Sequence, residues 1–267
     1  MINNYLSEVR LFEILYEDVN FYDEDVHHIL LNYINKYIKF KNISKQEFNF
    51  HYENFLKQYS KDIKAYLTSN IYPAVQNGIT YNITRVEYDV TLLLSTILTQ
   101  HRYDIMSEIY KQLNPNSNAL VIGSGIGIEL ELIKESYKKI AAYDVEIDEF
   151  CNYSHVNVNF NENEFRGHSN IEYNDIYIIE LLEHIPKPYD LIAKAQRRLT
   201  INGRILITLA VNIPQFDHII NFDNFDNFLK NIKKMNLYIE YKKEIKHKSI
   251  VSDLQSSSNI FIVLKKI

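Results

Sequence analysis

Little in this sequence could build a covalent or metal framework. A single cysteine, Cys151, stands among 267 residues, so no disulfide can form within the chain and no Cys-rich metal site can assemble. That usage matches a reducing compartment. No H-E-x-x-H or Cys-His ligand set occurs, so no metal is expected, and His27-His28, beside acidic residues, reads as a solvated helix face. Tryptophan is absent, and glycine (6) and proline (5) are scarce. No apolar run approaches the ~20 residues of a membrane span. The longest windows, such as Val90 to Leu98, are broken by Thr and Ser. The start, Met1-Ile2-Asn3-Asn4-Tyr5, lacks the basic and apolar stretches of a secretory leader, and a cytoplasmic protein without membrane contact is expected. Clustered Lys and Arg are missing as well. With a net charge of -5, nucleic acid is not an expected partner.

What is present is enough hydrophobic residue (46%) for a sizeable core, with 21 Tyr and 14 Phe carrying the aromatic share. Two halves differ in pattern. Residues 1–115 read as helices. Leu6, Val9, Phe12, Leu15 and Val19 share a helical face, as do Val26, Leu30, Tyr33, Ile34 and Tyr37. Ser44-Lys45-Gln46-Glu47 and Thr84-Arg85-Val86-Glu87 are capping-box patterns that open further helices. Another helix is predicted from Tyr103 to Leu113, and Tyr72-Pro73 and Asn77-Gly78 mark a loop or turn. Residues 116–267 alternate apolar runs (Ala119–Ile122, Ile140–Tyr143, Val156–Phe160, Ile176–Ile179, Ile205–Val211) with helical spacing (Glu129–Ser136, Asp148–Ser154, Tyr189–Leu199, Phe222–Met235). Asn202-Gly203 reads as a turn, Leu237–Tyr241 and Ile260–Leu264 as a closing strand pair, and Lys242–Lys248 as a solvated loop or strand edge. Such alternation predicts an α/β fold with a mainly parallel sheet, helices on both faces and a C-terminal antiparallel pair, after an all-helical N-terminal region. The seam falls near Asn114-Pro115-Asn116-Ser117.

The sharpest signal is Ala119-Leu120-Val121-Ile122-Gly123-Ser124-Gly125-Ile126-Gly127-Ile128-Glu129. A strand runs into spaced glycines and then a helix, which lets backbone approach a nucleotide without an intervening Cβ. Alone, the glycines would be a tight turn. The second apolar run, however, ends at Asp144, where a carboxylate can accept both ribose hydroxyls. The dinucleotide fingerprint wants its third glycine three places after the second, and that place is Ile128; Glu129 at the helix start also disfavours a pyrophosphate. The loop therefore suits S-adenosylmethionine better than a nicotinamide cofactor.

Four stretches, VIGSGIGIE, AAYD, NDIYIIELLEHIPKP and LTINGRILITLAVNIP, resemble in order and spacing the class I S-adenosylmethionine-dependent methyltransferases, over about 150 residues. The resemblance implies a Rossmann-like domain at 116–267 that binds S-adenosylmethionine, with residues 1–115 as a helical cap or substrate region. It implies that Gly123, Ser124, Gly125 and Gly127 line the methionine part of the cofactor, that Asp144 holds the ribose, that Val145 flanks the adenine, and that Ile179 and Glu180 lie near the methionine end. Two departures stand out. The acidic residue common in the family two places before the first glycine is Val121 here, and no usual adenine-reading acid is evident, leaving Asn161 or Glu162 as substitutes.

Methyl transfer requires alignment, exclusion of water and, where the nucleophile arrives protonated, a base. His184, in the Glu183-His184-Ile185-Pro186 stretch after the fourth strand, and His218, after the fifth, fall at the carboxyl rim where open α/β sheets bind ligands, and are the candidate catalytic bases. Tyr88, His101, Arg102 and Asn212 are candidate acceptor contacts, Arg102 as a cation for a carboxylate. Each has a plainer reading as packing. The aromatic helices (Tyr5, Phe12, Tyr16, Tyr33, Tyr37, Tyr52, Phe55, Tyr66) either wall an acceptor cavity or form core.

The expected activity is methyl transfer to an O- or N-nucleophile of a small-molecule acceptor, in specialised metabolism. The alternatives are transfer or cyclisation of the aminocarboxypropyl group, a cofactor-binding module without turnover, and a nicotinamide oxidoreductase. The helical half is also a candidate surface for a homodimer.

Overall fold

Seven strands lie side by side in the computed structural model, which describes Leu6 and residues 9–78, 82–168, 170–247 and 257–267. The strands are β1 (Asn118–Ile122), β2 (Lys139–Asp144), β3 (Val158–Glu162), β4 (Tyr173–Ile178), β5 (Leu199–Val211), β6 (Leu237–Lys246) and β7 (Ser258–Lys266), in the order β3-β2-β1-β4-β5-β7-β6. All neighbours pair in parallel except β7, which runs antiparallel to both β5 and β6. The chain winds outward from β1 to β3, then crosses back to β4. The carboxyl ends of β1 and β4 thus flank the switch point where open α/β sheets form their ligand crevice.

Side-chain alternation explains why the sheet is covered twice. Leu120 and Ile122 of β1 face a core shared with Leu191, Ile192 and Ala195 of α9 (Pro188–Gln196) and Phe228 and Ile232 of α10 (Phe225–Lys234). Ala119 and Val121 face the opposite core. The N-terminal helices fill that core: α1 (Arg10–Glu17), α2 (Glu24–Lys41), α3 (Lys45–Ser69), α5 (Arg85–Leu98) and α6 (Gln100–Lys111). The short helices α7 (Ile128–Ile133) and α8 (Glu149–Ser154) contribute Leu130, Ile133, Phe150 and Cys151 to it. The helical half therefore shares one hydrophobic core with a face of the sheet, and residues 114–117 join the two at the surface. Phe12, Tyr33, Tyr37 and Tyr52 are almost wholly buried there, so these aromatics are core and do not wall a cavity; Tyr5 lies outside the described residues.

Local chemistry sets the helix ends. Ser44 accepts the Glu47 N–H while the Glu47 carboxylate accepts the Ser44 N–H, the reciprocal box that opens α3. Thr84 accepts the Glu87 N–H at the start of α5. Four details depart from the sequence pattern. Tyr72-Pro73 opens a short helix, α4 (Pro73–Asn77), because proline at the first helical position lacks only an N–H that would have no partner there. α7 ends at Ile133, and β3 starts at Val158, two residues late. Asn202-Gly203 is not a turn but part of β5. A Cβ on Gly203 would come within 3.0 Å of the Tyr173 carbonyl oxygen and 3.1 Å of that of Asn174, beside an irregular register between Tyr173 and Asp175. The glycine there marks a close strand approach. The charged segment after Tyr241 is the edge strand β6 as far as Lys246; Lys248 lies outside the described residues.

Candidate active site

β1 ends in a loop whose glycines Gly123, Gly125 and Gly127 have φ of 76°, 49° and 83°. These left-handed values strain any residue with a Cβ. The Gly123 N–H donates to the Tyr143 carbonyl (2.8 Å) and the Gly125 N–H to Asp144 Oδ2 (2.7 Å), while the Glu146 N–H donates to Asp144 Oδ1 (3.2 Å). Backbone thus fixes both oxygens of Asp144, and each keeps a lone pair for a ligand hydroxyl. Behind the loop, the Tyr33 hydroxyl of α2 donates to the Ile126 carbonyl (2.6 Å) and meets His155 Nε2 (2.9 Å). Burial holds the His155 imidazole down at about 3, with Lys134 and Lys36 adding to the effect, so the ring is neutral.

A cleft of about 560 Å³ opens over this loop, within the roughly 300–1,000 Å³ of small-molecule sites. Gly123, Ser124, Gly125, Asp144 and Val145 line its floor; Ile179, Glu180, His184 and Asp217 line the sheet side; Arg85, Tyr88, Leu92 and Arg102 line the helical wall. Arg102 Nη1 pairs with Glu180 Oε2 at 2.9 Å, and Asn259 Nδ2 donates to Glu180 Oε1 at 2.8 Å. Glu180 itself takes a φ of 49° and donates its N–H to Thr208 Oγ1 at 2.6 Å. A non-glycine residue in that conformation is strained, and such strain collects at functional sites.

The rim is rich in acid. Burial raises the Glu129 carboxyl to about 7, against the pull of Arg102. Burial also raises Glu183, and Glu180 adds to it. Burial pulls the His184 imidazole down, but the carboxylates of Asp217, Glu183 and Glu180 outweigh it and the net direction is up. His184 Nδ1 lies 3.2 Å from the Asp217 carbonyl oxygen and 3.4 Å from Asp217 Oδ2. His218 is held low, chiefly by burial. Several buried polar atoms here lack a partner among the described residues: Ser124 Oγ, Arg102 Nε, Asp217 Oδ1 and both carboxylate oxygens of Glu183.

Most of the residues singled out from sequence meet in this one cleft: Gly123, Ser124, Gly125, Asp144, Val145, Ile179, Glu180, Tyr88, Arg102 and His184. Others stand apart. Gly127 does not line it; a Cβ there would lie 2.9 Å from the Tyr33 hydroxyl and 3.0 Å from His155 Nε2, so its place is in packing behind the loop. His218 is buried behind the rim, its ring edge-on to His184 with centroids 4.7 Å apart. His101 stacks on His247 at 3.7 Å. Asn212 exchanges side-chain and backbone hydrogen bonds with Asn221. Neither Asn161 nor Glu162 reaches the cleft. Sequence reasoning missed Arg85, which pairs with Asp89 (2.9 Å) and lines the cleft on its helical wall, and Glu183. The Thr84 cap signalled a helix start near Arg85; nothing local signalled the isolation of Glu183.

A methyltransferase-domain family model matches residues 98–240, more than half of the chain. No curated protein sequence matches. Three solved structures illustrate distant likenesses. The 1,6-didemethyltoxoflavin-N1-methyltransferase of Burkholderia thailandensis, with bound 1,6-didemethyltoxoflavin and S-adenosylhomocysteine, is 12% identical over 60% of this chain and 75% of that one, with a TM-score of 0.49. The N-methyltransferase NodS of Bradyrhizobium japonicum is 13% identical over 62% and 94%, TM-score 0.48. A TehB-like S-adenosylmethionine-dependent methyltransferase of Corynebacterium glutamicum is 16% identical over 60% and 86%, TM-score 0.47. With the family match and this fold and loop, the chain belongs to the class I S-adenosylmethionine-dependent methyltransferases.

The residues present fit that cofactor. A carboxylate with free lone pairs ends β2, a glycine loop leaves the floor open, and a buried guanidinium with an unpartnered Nε faces a cleft that also holds carboxylates. This set suits a ligand bearing a diol, a carboxylate and an ammonium group.

Proposed function

We propose that this methyltransferase acts on an oxygen or nitrogen nucleophile of a small molecule in specialised metabolism, and that the helical residues 1–115 cap the cleft and wall its acceptor side, through Tyr88 and Leu92. The observation that carries the reading is the continuity of one cleft. The floor at Gly123–Gly125 and Asp144 runs without a break to the rim at Tyr88, His184 and Asp217, so cofactor and acceptor would share one enclosure. When bound, S-adenosylmethionine supplies a methyl group on a sulfonium leaving group. Asp144 would hold the ribose, Val145 would flank the adenine, and Arg102 with Glu180 would hold the methionine carboxylate and ammonium. Tyr88, Leu92 and Ile179 keep water from the reacting centre. His184, oriented through Nδ1 by Asp217, would take the proton that a hydroxyl or ammonium acceptor must lose.

The acidity of the rim supports a neutral or cationic acceptor and disfavours a polyanion such as nucleic acid. No helix among the described residues is long and apolar enough to cross a membrane, and the one cysteine is free and buried; both agree with a cytoplasmic setting. The test is turnover with a panel of small phenols, alcohols and amines, read by mass. The expected product is one methyl group heavier than its acceptor, with S-adenosylhomocysteine formed in equal amount. A gain of the aminocarboxypropyl group, or turnover on macromolecules alone, would overturn the reading.

A further inference from the structure

Beneath the rim, three side chains from two loops converge: Glu183 and His184 on the 3-10 turn after β4 (Leu182–His184), and His218 on the loop after β5. One donor atom from each lies within 4.8 Å of the others. Ligand atoms set tetrahedrally around one ion at about 2.0–2.2 Å lie roughly 3.3–3.6 Å apart, so side-chain rotation that draws the atoms together by up to about an ångström closes the set. Glu183 is 0% exposed, and neither of its carboxylate oxygens has a hydrogen-bond partner among the described residues. A buried carboxylate in that position requires a proton or a cation.

The backbone holds one nitrogen of each imidazole. His218 Nδ1 lies 2.8 Å from the Ile213 carbonyl oxygen, and His184 Nδ1 lies 3.2 Å from that of Asp217. A carbonyl only accepts, so each ring carries its proton on Nδ1 and leaves the Nε2 lone pair free. That is the arrangement by which metal-binding histidines are held through their second nitrogen. The frame is rigid: the Ile219 and Ile220 N–H groups both donate to the Glu183 carbonyl (2.8 and 3.0 Å), and the Ile213 N–H donates to the Tyr72 hydroxyl (2.8 Å). The loop carrying His218 is thus tied to the turn carrying Glu183.

We propose that Glu183, His184 and His218 bind a divalent first-row transition-metal ion beneath the acceptor end of the cleft. Two imidazole nitrogens and one carboxylate oxygen suit zinc, manganese, iron or cobalt, whereas magnesium and calcium favour oxygen ligands. Three protein ligands leave positions open. Because His184 and Asp217 line the cleft, those positions face the acceptor, and an acceptor oxygen held there is more acidic than a free one. This last role rests on the methyl-transfer reading and, with the ion bound through His184 Nε2, takes the place of His184 as base; the site itself does not rest on that reading. The absence of a ligand motif in the sequence had predicted no metal, since His218 is far along the chain from Glu183.

The test uses the full chain, stripped by chelator, titrated calorimetrically with Zn²⁺, Mn²⁺, Co²⁺ and Mg²⁺, and separately with S-adenosylhomocysteine. The expected result is one transition ion per chain, with visible Co²⁺ bands of nitrogen–oxygen ligation. Glu183→Gln and His218→Gln should each weaken the ion by about 100-fold or more and leave S-adenosylhomocysteine affinity unchanged. Should a buried variant fail to fold, His184→Gln, whose side chain is 22% exposed, carries the same prediction for the ion. Binding of no transition ion, or equal binding by the variants, overturns the site. S-adenosylhomocysteine binding without any ion would do so while leaving the cofactor reading intact. An ion bound with S-adenosylhomocysteine silent would support the site and sink that reading.

Discussion

The two ends of the cleft treat their polar groups in opposite ways. At the floor, both oxygens of Asp144 accept backbone N–H groups, the glycine loop is braced from behind by Tyr33 and His155, and of the side chains lining it Ser124 Oγ alone lacks a partner among the described residues. At the rim, Glu183 has two bare carboxylate oxygens, and Asp217 Oδ1 and Arg102 Nε are also without partners among the described residues. A satisfied end is preorganised and binds without rearrangement, whereas buried groups left unsatisfied are a standing cost that a ligand can relieve. The contrast fits the proposals made above: Asp144 and the glycine loop for the cofactor's nucleoside, Arg102 for its methionine end, and Glu183 with its neighbours for an ion.

The largest effect expected from breaking this contrast lies behind the floor. Gly127→Ala places a Cβ 2.9 Å from the Tyr33 hydroxyl at a φ of 83°. Tyr33 is buried and bonded to Ile126, so it cannot yield cheaply. A loss of about 2–4 kcal/mol in stability is expected from strain and overpacking, read by urea unfolding. Next, Asp144→Ala should weaken S-adenosylhomocysteine binding by about 1–3 kcal/mol, the scale of charged hydrogen bonds, with some loss of stability as the Gly125 and Glu146 N–H groups lose their acceptor.

The brace also has a pH signature. His155 is held at about 3 against an ordinary 6.5, so the unfolded chain takes up the proton first. Its contribution is present in full above about pH 6.5 and is lost as pH falls toward about 3. By about pH 5 the loss amounts to roughly 2 kcal/mol, and a His155→Gln variant should lack that part of the acid dependence. The smallest effect sharpens the contrast at the rim. Removing an acid that has no partner should help the metal-free fold: Glu183→Gln is expected to raise stability by about 1 kcal/mol at alkaline pH. A fall in stability there would show that Glu183 is already satisfied.

How far the sequence reveals this arrangement depends on how local each feature is. The strand–glycine–helix junction and Asp144 at the end of β2 were legible, because turn conformation and strand end are set by residues within a few positions. The alternation of β1 to β5 with helices was legible for the same reason, and it matches the parallel pairing observed. Asn202-Gly203 misled because its glycine answers to the Tyr173 and Asn174 carbonyls, almost thirty residues earlier in the chain. The aromatic helices gave no sign of whether they wall a cavity or fill a core. Only the face of the sheet that Tyr33, Tyr37 and Tyr52 cover decides that. Glu183 was the least legible. Its isolation arises when the loop after β5 folds back and donates two N–H groups to the Glu183 carbonyl, a contact no spacing rule contains.

The central claim is that the glycine floor and Asp144 hold S-adenosylmethionine. Its most direct test is calorimetric titration of the wild-type chain and Asp144→Ala with S-adenosylhomocysteine, with NADH as the contrasting ligand. The account predicts binding of S-adenosylhomocysteine to the wild type, clear weakening in Asp144→Ala and silence from NADH. Binding of NADH in place of the sulfur nucleoside, or equal affinity in a folded Asp144→Ala, would contradict it.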